Sequence, residues 1–184
     1  MFALRFVSLF LLSANIASAS PTVNPAGATA VEKRASTADI ETVFNTLKSS
    51  TDTILPQITA LGSSGTATDT SVTPLISELT AALNTATASL AALPTTETKK
   101  RQTEDDIAIL AAGLVTDIAN TFNGFPVPGL DVLLVEVDVA LNELLVGLDT
   151  LLVGVSVLVA GLLSGVAGVL DGLGLGLVLG LLGL

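Results

Sequence analysis

The residues able to do chemistry are sparse, and nearly all of them are carboxylates. Glu104, Asp105 and Asp106 stand together, and such a run could in principle hold calcium. The spaced oxygen ligands and central glycine of an EF-hand loop are missing around them. We therefore read the three acids as the first turn of a helix, facing the positive end of its dipole. Most other catalytic equipment is missing by type, because the chain has no Cys, His, Trp or Tyr. That excludes the usual zinc, haem and iron–sulfur sites, a thiol nucleophile and an imidazole base. Of six Phe, three (Phe2, Phe6 and Phe10) fall in the first dozen residues. The remaining three offer no platform on which bases could stack. The expectation is no enzyme, no cofactor, no metal and no disulfide framework.

Basic residues are few and clustered, and their chemistry is that of processing. Arg5 followed by an apolar run from Phe6 to Leu12, then Ala17-Ser18-Ala19, has the layout of a signal peptide cut after Ala19. Residues 20–34 have no apolar period and end in Lys33-Arg34, so they read as a pro-segment removed before Ala35. A second cluster, Lys99-Lys100-Arg101, is either a solvated linker or another cleavage site after Lys100 and Arg101.

That second cluster marks a change of composition. Residues 35–101 form a Ser/Thr-rich half, with 24 Ser and Thr between Ser36 and Thr98 and six acidic against four basic residues. Residues 102–184 hold ten acidic residues, no basic one and only six Ser or Thr. The charge of −12 over residues 35–184 disfavours nucleic acid and anionic lipid as partners. A wettable block followed by an apolar block is the layout of a surfactant.

Helices must position whatever the chain uses. Ile40, Val43, Phe44, Leu47, Thr51, Ile54, Ile58 and Leu61 recur at steps of three and four, predicting a helix capped by Ser36 or Thr37 and stopped by Gly62. Pro56 should kink or split it. After a loop over 62–70, Thr73 as cap and Pro74 in the first position open a second helix, with Leu75, Ile76, Leu79, Leu83, Ala86, Leu90 and Leu93 as its stripe and Pro94 as its end. The two should pair as an antiparallel hairpin. Thr103 then caps a third helix, striped by Ile107, Leu110, Leu114, Ile118 and Phe122 and ended by Asn123-Gly124. The segment Phe125 to Gly129 is a rigid break.

From Leu144 the tail runs in heptads: LLVGLDT, LLVGVSV, LVAGLLS, GVAGVLD. Gly147, Gly154, Gly161 and Gly168 share one register, and Gly165 pairs with Gly161 in a GxxxG spacing. Polar residues occupy another register, so on a helical wheel the glycines fall near the middle of the apolar face, where a second helix could approach closely. Three settings suit this segment. Thr150 to Leu170 has no charge and is long enough to span a bilayer, or the tail could signal a lipid anchor. It could instead lie at an interface, or it could be an ordinary buried core. The periodic acids favour the interface. Gly172 to Leu179 alternates with period two and suits a strand, a frayed helix or an aggregating tail. The fold class expected is all-α: a polar helical hairpin followed by long, apolar, Gly-rich amphipathic helices, with the C-terminal end poorly defined.

This layout, a hydrophilic half followed by a Cys-free apolar half with Leu/Val/Gly/Asp heptads, resembles the small secreted proteins of mushroom-forming fungi that support aerial hyphae and attachment. More loosely, residues 35–93 are similar to the fungal hydrophobic-surface-binding or cell-wall galactomannoprotein family, which is helical and rich in Thr and Ala. Hydrophobins are excluded, since their cysteines are absent. The resemblance implies a protein of the extracellular region or cell wall. Its partners would be hydrophobic surfaces or the air–water interface, wall glycans and further copies of itself. The alternative is a wall protein held by its apolar tail in a membrane or by a lipid anchor. No site motif is matched, so no functional residue is carried over.

Overall fold

In a computed structural model, the described residues are 37–94, 101–125, 127 and 129–184. The signal peptide, the pro-segment and the processing residues Ala19, Lys33, Arg34 and Lys100 lie outside them. Seven helices and no strand are found among the described residues: α1 Thr37–Ser63, α2 Asp69–Ala91, α3 Arg101–Phe122, α4 Leu130–Leu151, α5 Val155–Leu163, α6 Ala167–Gly172 and α7 Gly176–Leu182. The class is all-α, as the periodicity predicts.

Pro56 neither splits nor ends α1, which runs through it for 27 residues. Pro56 is exposed, so the carbonyl left without an amide partner faces water. Its neighbours Ile54, Leu55 and Ile58 are buried and carry the helix past the defect. The second helix begins earlier than Thr73 and Pro74 suggest. Thr68 is the cap: its hydroxyl accepts from the Ser71 amide, and the Ser71 hydroxyl accepts in return from the Thr68 amide. This capping box places Val72 in the helix, where it is fully buried. Thr103 likewise lies inside α3, which already includes Arg101. The expected ends hold better. Ala92 caps α2 just before Pro94, and Gly124 takes a left-handed φ of +72° after α3.

The four long helices stand in the order α3, α1, α2, α4, each packed on the next, and α5 closes the remaining side between α3 and α4. Helix α7 packs on α4. The change of composition at residue 101 is therefore not a boundary in the packing. Polar-half residues such as Ile58, Leu79 and Leu83 share one continuous core with Ile118, Leu141 and Leu148 of the apolar half. Each such side chain contributes about 1.5–3 kcal/mol when buried. Gly62, expected only as a stop, also serves that core. A Cβ there would stand 2.6 Å from the Phe125 ring, which rests edge-on against Phe122.

The heptad tail is not continuous helix. Gly154, at φ +92°, separates α4 from α5, a turn at 164–166 separates α5 from α6, and Gly174, at φ +75°, precedes α7. The alternating stretch from Gly172 onward ends as helix α7, with Val178, Leu179 and Leu182 buried. No helix among the described residues is long and apolar enough to cross a membrane. Thr150 to Leu170, which could span by length alone, is divided among three helices.

Candidate functional site

The heptads of the tail wind differently from the reading that puts glycine at the centre of a buried face. In LLVGLDT and LLVGVSV, the first, second and fifth positions are buried: Leu144, Leu145 and Leu148, then Leu151, Leu152 and Val155. The third position turns outward. It is valine four times in succession, at Val132, Val139, Val146 and Val153, with 69%, 39%, 44% and 87% of the residue's surface open to solvent. Val135 joins the first three at helical spacing, so the outer face of α4 carries a stripe of valine. On a helical wheel the exposed Glu136 and Glu143 border one edge of the stripe, and Asp131, Asn142 and Asp149 border the other. Helix α5 adds exposed Val157, Leu158 and Leu162. The signal was present in the sequence: the third position is valine in four successive heptads, whereas the first, second and fifth are mostly leucine.

Glycine occupies the position beside that stripe. Gly147 and Gly154 are half-buried, and Gly161, Gly165 and Gly168 are exposed. A Cβ added at any of the five would meet nothing within 4 Å. None of them is a point of close helix approach within the chain. Gly154 has a backbone reason to be glycine, its positive φ, whereas Gly161 lies inside α5 with an ordinary helical backbone. Gly154→Ala is therefore expected to lower stability by about 1 kcal/mol and Gly161→Ala to raise it by about 0.5–1 kcal/mol. Paired urea titrations check both signs.

Two aspartates of α4 are occupied rather than free. Asp149 Oδ1 accepts the amides of Gly154 and Ser156, each at 3.2 Å, and so caps α5, whose own cap residue has no side chain. Asp138, on the same helix as the exposed Glu136 and Glu143, is only 5% exposed. Its Oδ2 accepts the Leu177 amide at 2.9 Å and its Oδ1 the Val178 amide at 3.0 Å, at the first turn of α7. A buried carboxylate needs partners of this kind, and charge-assisted bonds from a helix N-terminus supply them.

On the opposite side, an open groove of about 750 Å³ runs between α1 and α3, lined by Leu55, Pro56, Thr59, Asp117 and Thr121 among others. Lys48 bridges the two helices there, 3.0 Å from Asp52 and 3.6 Å from Asp117. The hydrogen bond to Asp52, with the field of both carboxylates, holds the ammonium's pKa above its ordinary value. Because α3 already starts at Arg101, only Glu104 of the expected acidic first turn lies there, with Asp105 and Asp106 in the next turn. All three are half-exposed to exposed, and among the described residues no group of three acids is gathered as metal ligands.

The class these features define is a Cys-free, all-α amphiphile with a shared core and an outward apolar stripe. No family model matches the chain. Over 67 residues it is 52% identical to fruiting body differentiation protein 16 of the mushroom Flammulina velutipes, covering 36% of this chain and 52% of that protein. The chain thus matches about half the length of this curated relative, and the likeness is to a protein of fungal fruiting bodies.

Proposed function

We propose that the protein is a secreted, surface-active structural protein, not an enzyme, which coats hyphae or the matrix around them and adsorbs to hydrophobic interfaces. The observation that carries this reading is the valine stripe of α4. Apolar side chains repeat outward at every heptad while the leucines beside them fill the core, so the folded molecule has an apolar face without having to unfold. The acids along both edges keep the borders of that face wet. The exposed Ser and Thr of α1 and α2 give a polar surface to water or wall glycan. The similarity to a protein named for fruiting body differentiation supports a role in fungal development. Secretion rests on the signal-peptide layout up to Ala19. Close packing at Gly161, Gly165 and Gly168 would be between molecules, since these glycines face outward.

Replacing Val132, Val139 and Val146 together with Thr keeps their shape and removes about 1 kcal/mol of apolar transfer each. Adsorption to a methylated surface is expected to weaken on the order of a hundredfold, with helicity and melting little changed. Adsorbed mass against concentration, set beside circular dichroism, is the measurement. Unchanged adsorption by a correctly folded variant would remove the valine stripe from the mechanism.

A further inference from the structure

Asp138 shares its heptad register with Leu145, Leu152 and Val159, all of them buried aliphatic residues. An acid there is costly in a closed core unless both oxygens find donors, and the amides of Leu177 and Val178 are those donors. Helix α7, which supplies them, is poorly equipped to stand alone. It has seven residues, two of them glycine, and its cap residue Leu175 makes no side-chain cap. Helices this short are marginal in water without tertiary support. The rest of its hold is apolar: Val178, Leu179 and Leu182 are buried in the core, and α7 packs on α5 and α6 as well as on α4. No charge lies between Gly172 and Leu184.

We propose that Asp138 is a latch that keeps α7 closed on α4 in water and lets it open at an apolar surface. A leucine at this position would bind α7 by apolar contact and be left bare on opening. The aspartate holds α7 in water through two charge-assisted bonds, and when α7 lifts it exchanges those amide donors for water, so no apolar surface is left bare at the latch itself. What opening releases is the apolar side of α7, which can then enter the apolar phase alongside the valine stripe while Asp138 stays in water. The inference rests on the adsorption reading for its purpose. The closure itself can be tested in solution without it.

The test compares the intact wild type with Asp138→Asn and Asp138→Ala. Amide hydrogen exchange in water reads the latch. The amides of residues 177–182 are expected to exchange at least tenfold faster in Asp138→Ala, and by an intermediate factor in Asp138→Asn, whose amide oxygen can still accept one bond. Protection at Ile58, Leu83 and Ile118 should stay as in wild type. Unchanged exchange over 177–182 overturns the proposal. So does loss of protection throughout α1 to α4 in both variants, which would make Asp138 part of the core's foundation. Dynamic surface tension then reads the consequence: the lag before tension falls should shorten from wild type to Asn to Ala. Equal lags despite a freed α7 overturn the regulatory role. If wild type never lowers surface tension, the adsorption reading falls, and the exchange result alone decides whether the latch exists.

Discussion

Leu141→Ala should cost about 2–5 kcal/mol of unfolding free energy and lower the stability of every helix at once. Leu141 is fully buried on α4 and belongs to the same core as Leu79 and Leu83 of the Ser/Thr-rich half. Small domains hold only about 5–15 kcal/mol in total, so this one truncation removes a large share. Urea unfolding should remain a single transition with an earlier midpoint. Far-ultraviolet circular dichroism is the suitable probe, because the chain has neither Trp nor Tyr to report by fluorescence. Val146→Ala, on the exposed face of the same helix, should shift the midpoint little. If the variant instead shows two transitions, with helicity of the first half surviving, the halves are energetically separate.

The second large effect concerns the halves themselves. Residues 35–101 made alone should lack a cooperative melt, and so should residues 102–184, while mixing the two restores one. The reason lies in α2. Its stripe of Val72, Ile76, Leu79, Leu83 and Leu90 is buried, and α2 packs on both α1 and α4. Without α4, one flank of that stripe is bare, and a two-helix hairpin has too little core to offset its lost chain entropy. A cut at Lys100 or Arg101 would accordingly leave two pieces held together by packing, visible as one species by size-exclusion chromatography and two bands on a denaturing gel. A cooperative melt by residues 35–101 alone would show that the hairpin is self-sufficient.

Local periodicity was enough to place the helices, because the stripes of α1, α2 and α3 are written at steps of three and four and the apolar residues in them are the ones buried. Errors came where two local rules compete. At Pro56 the missing amide loses to the burial of three neighbours and to water at the freed carbonyl. At Thr73-Pro74 a favourable opening pair loses to the reciprocal Thr68–Ser71 bonds five residues earlier. The tail posed a different difficulty. Glycine every seventh residue is compatible with a helix seam or with breaks between helices, and only the backbone at Gly154 decides for the break. The valine register was legible but could not be distinguished from core by hydrophobicity, since valine suits both. Asp138 was legible only in part. Its register, shared with Leu145 and Leu152, points inward, but the partners that satisfy it lie 39 and 40 residues away.

Among the residues whose side chains are described, Lys48 is the one basic group, and it is committed to Asp52 and Asp117 of its own molecule. The other basic residues after Ala35, Lys99, Lys100 and Arg101, still leave the charge over residues 35–184 at −12, so neighbours in the proposed coat would meet with net repulsion. The reach of that repulsion belongs to the liquid rather than to the protein, about 10 Å at 0.1 M salt and about 30 Å at 0.01 M. In the coat proposed above, the spacing between molecules would follow ionic strength, drawn in by brine and loosened by dew.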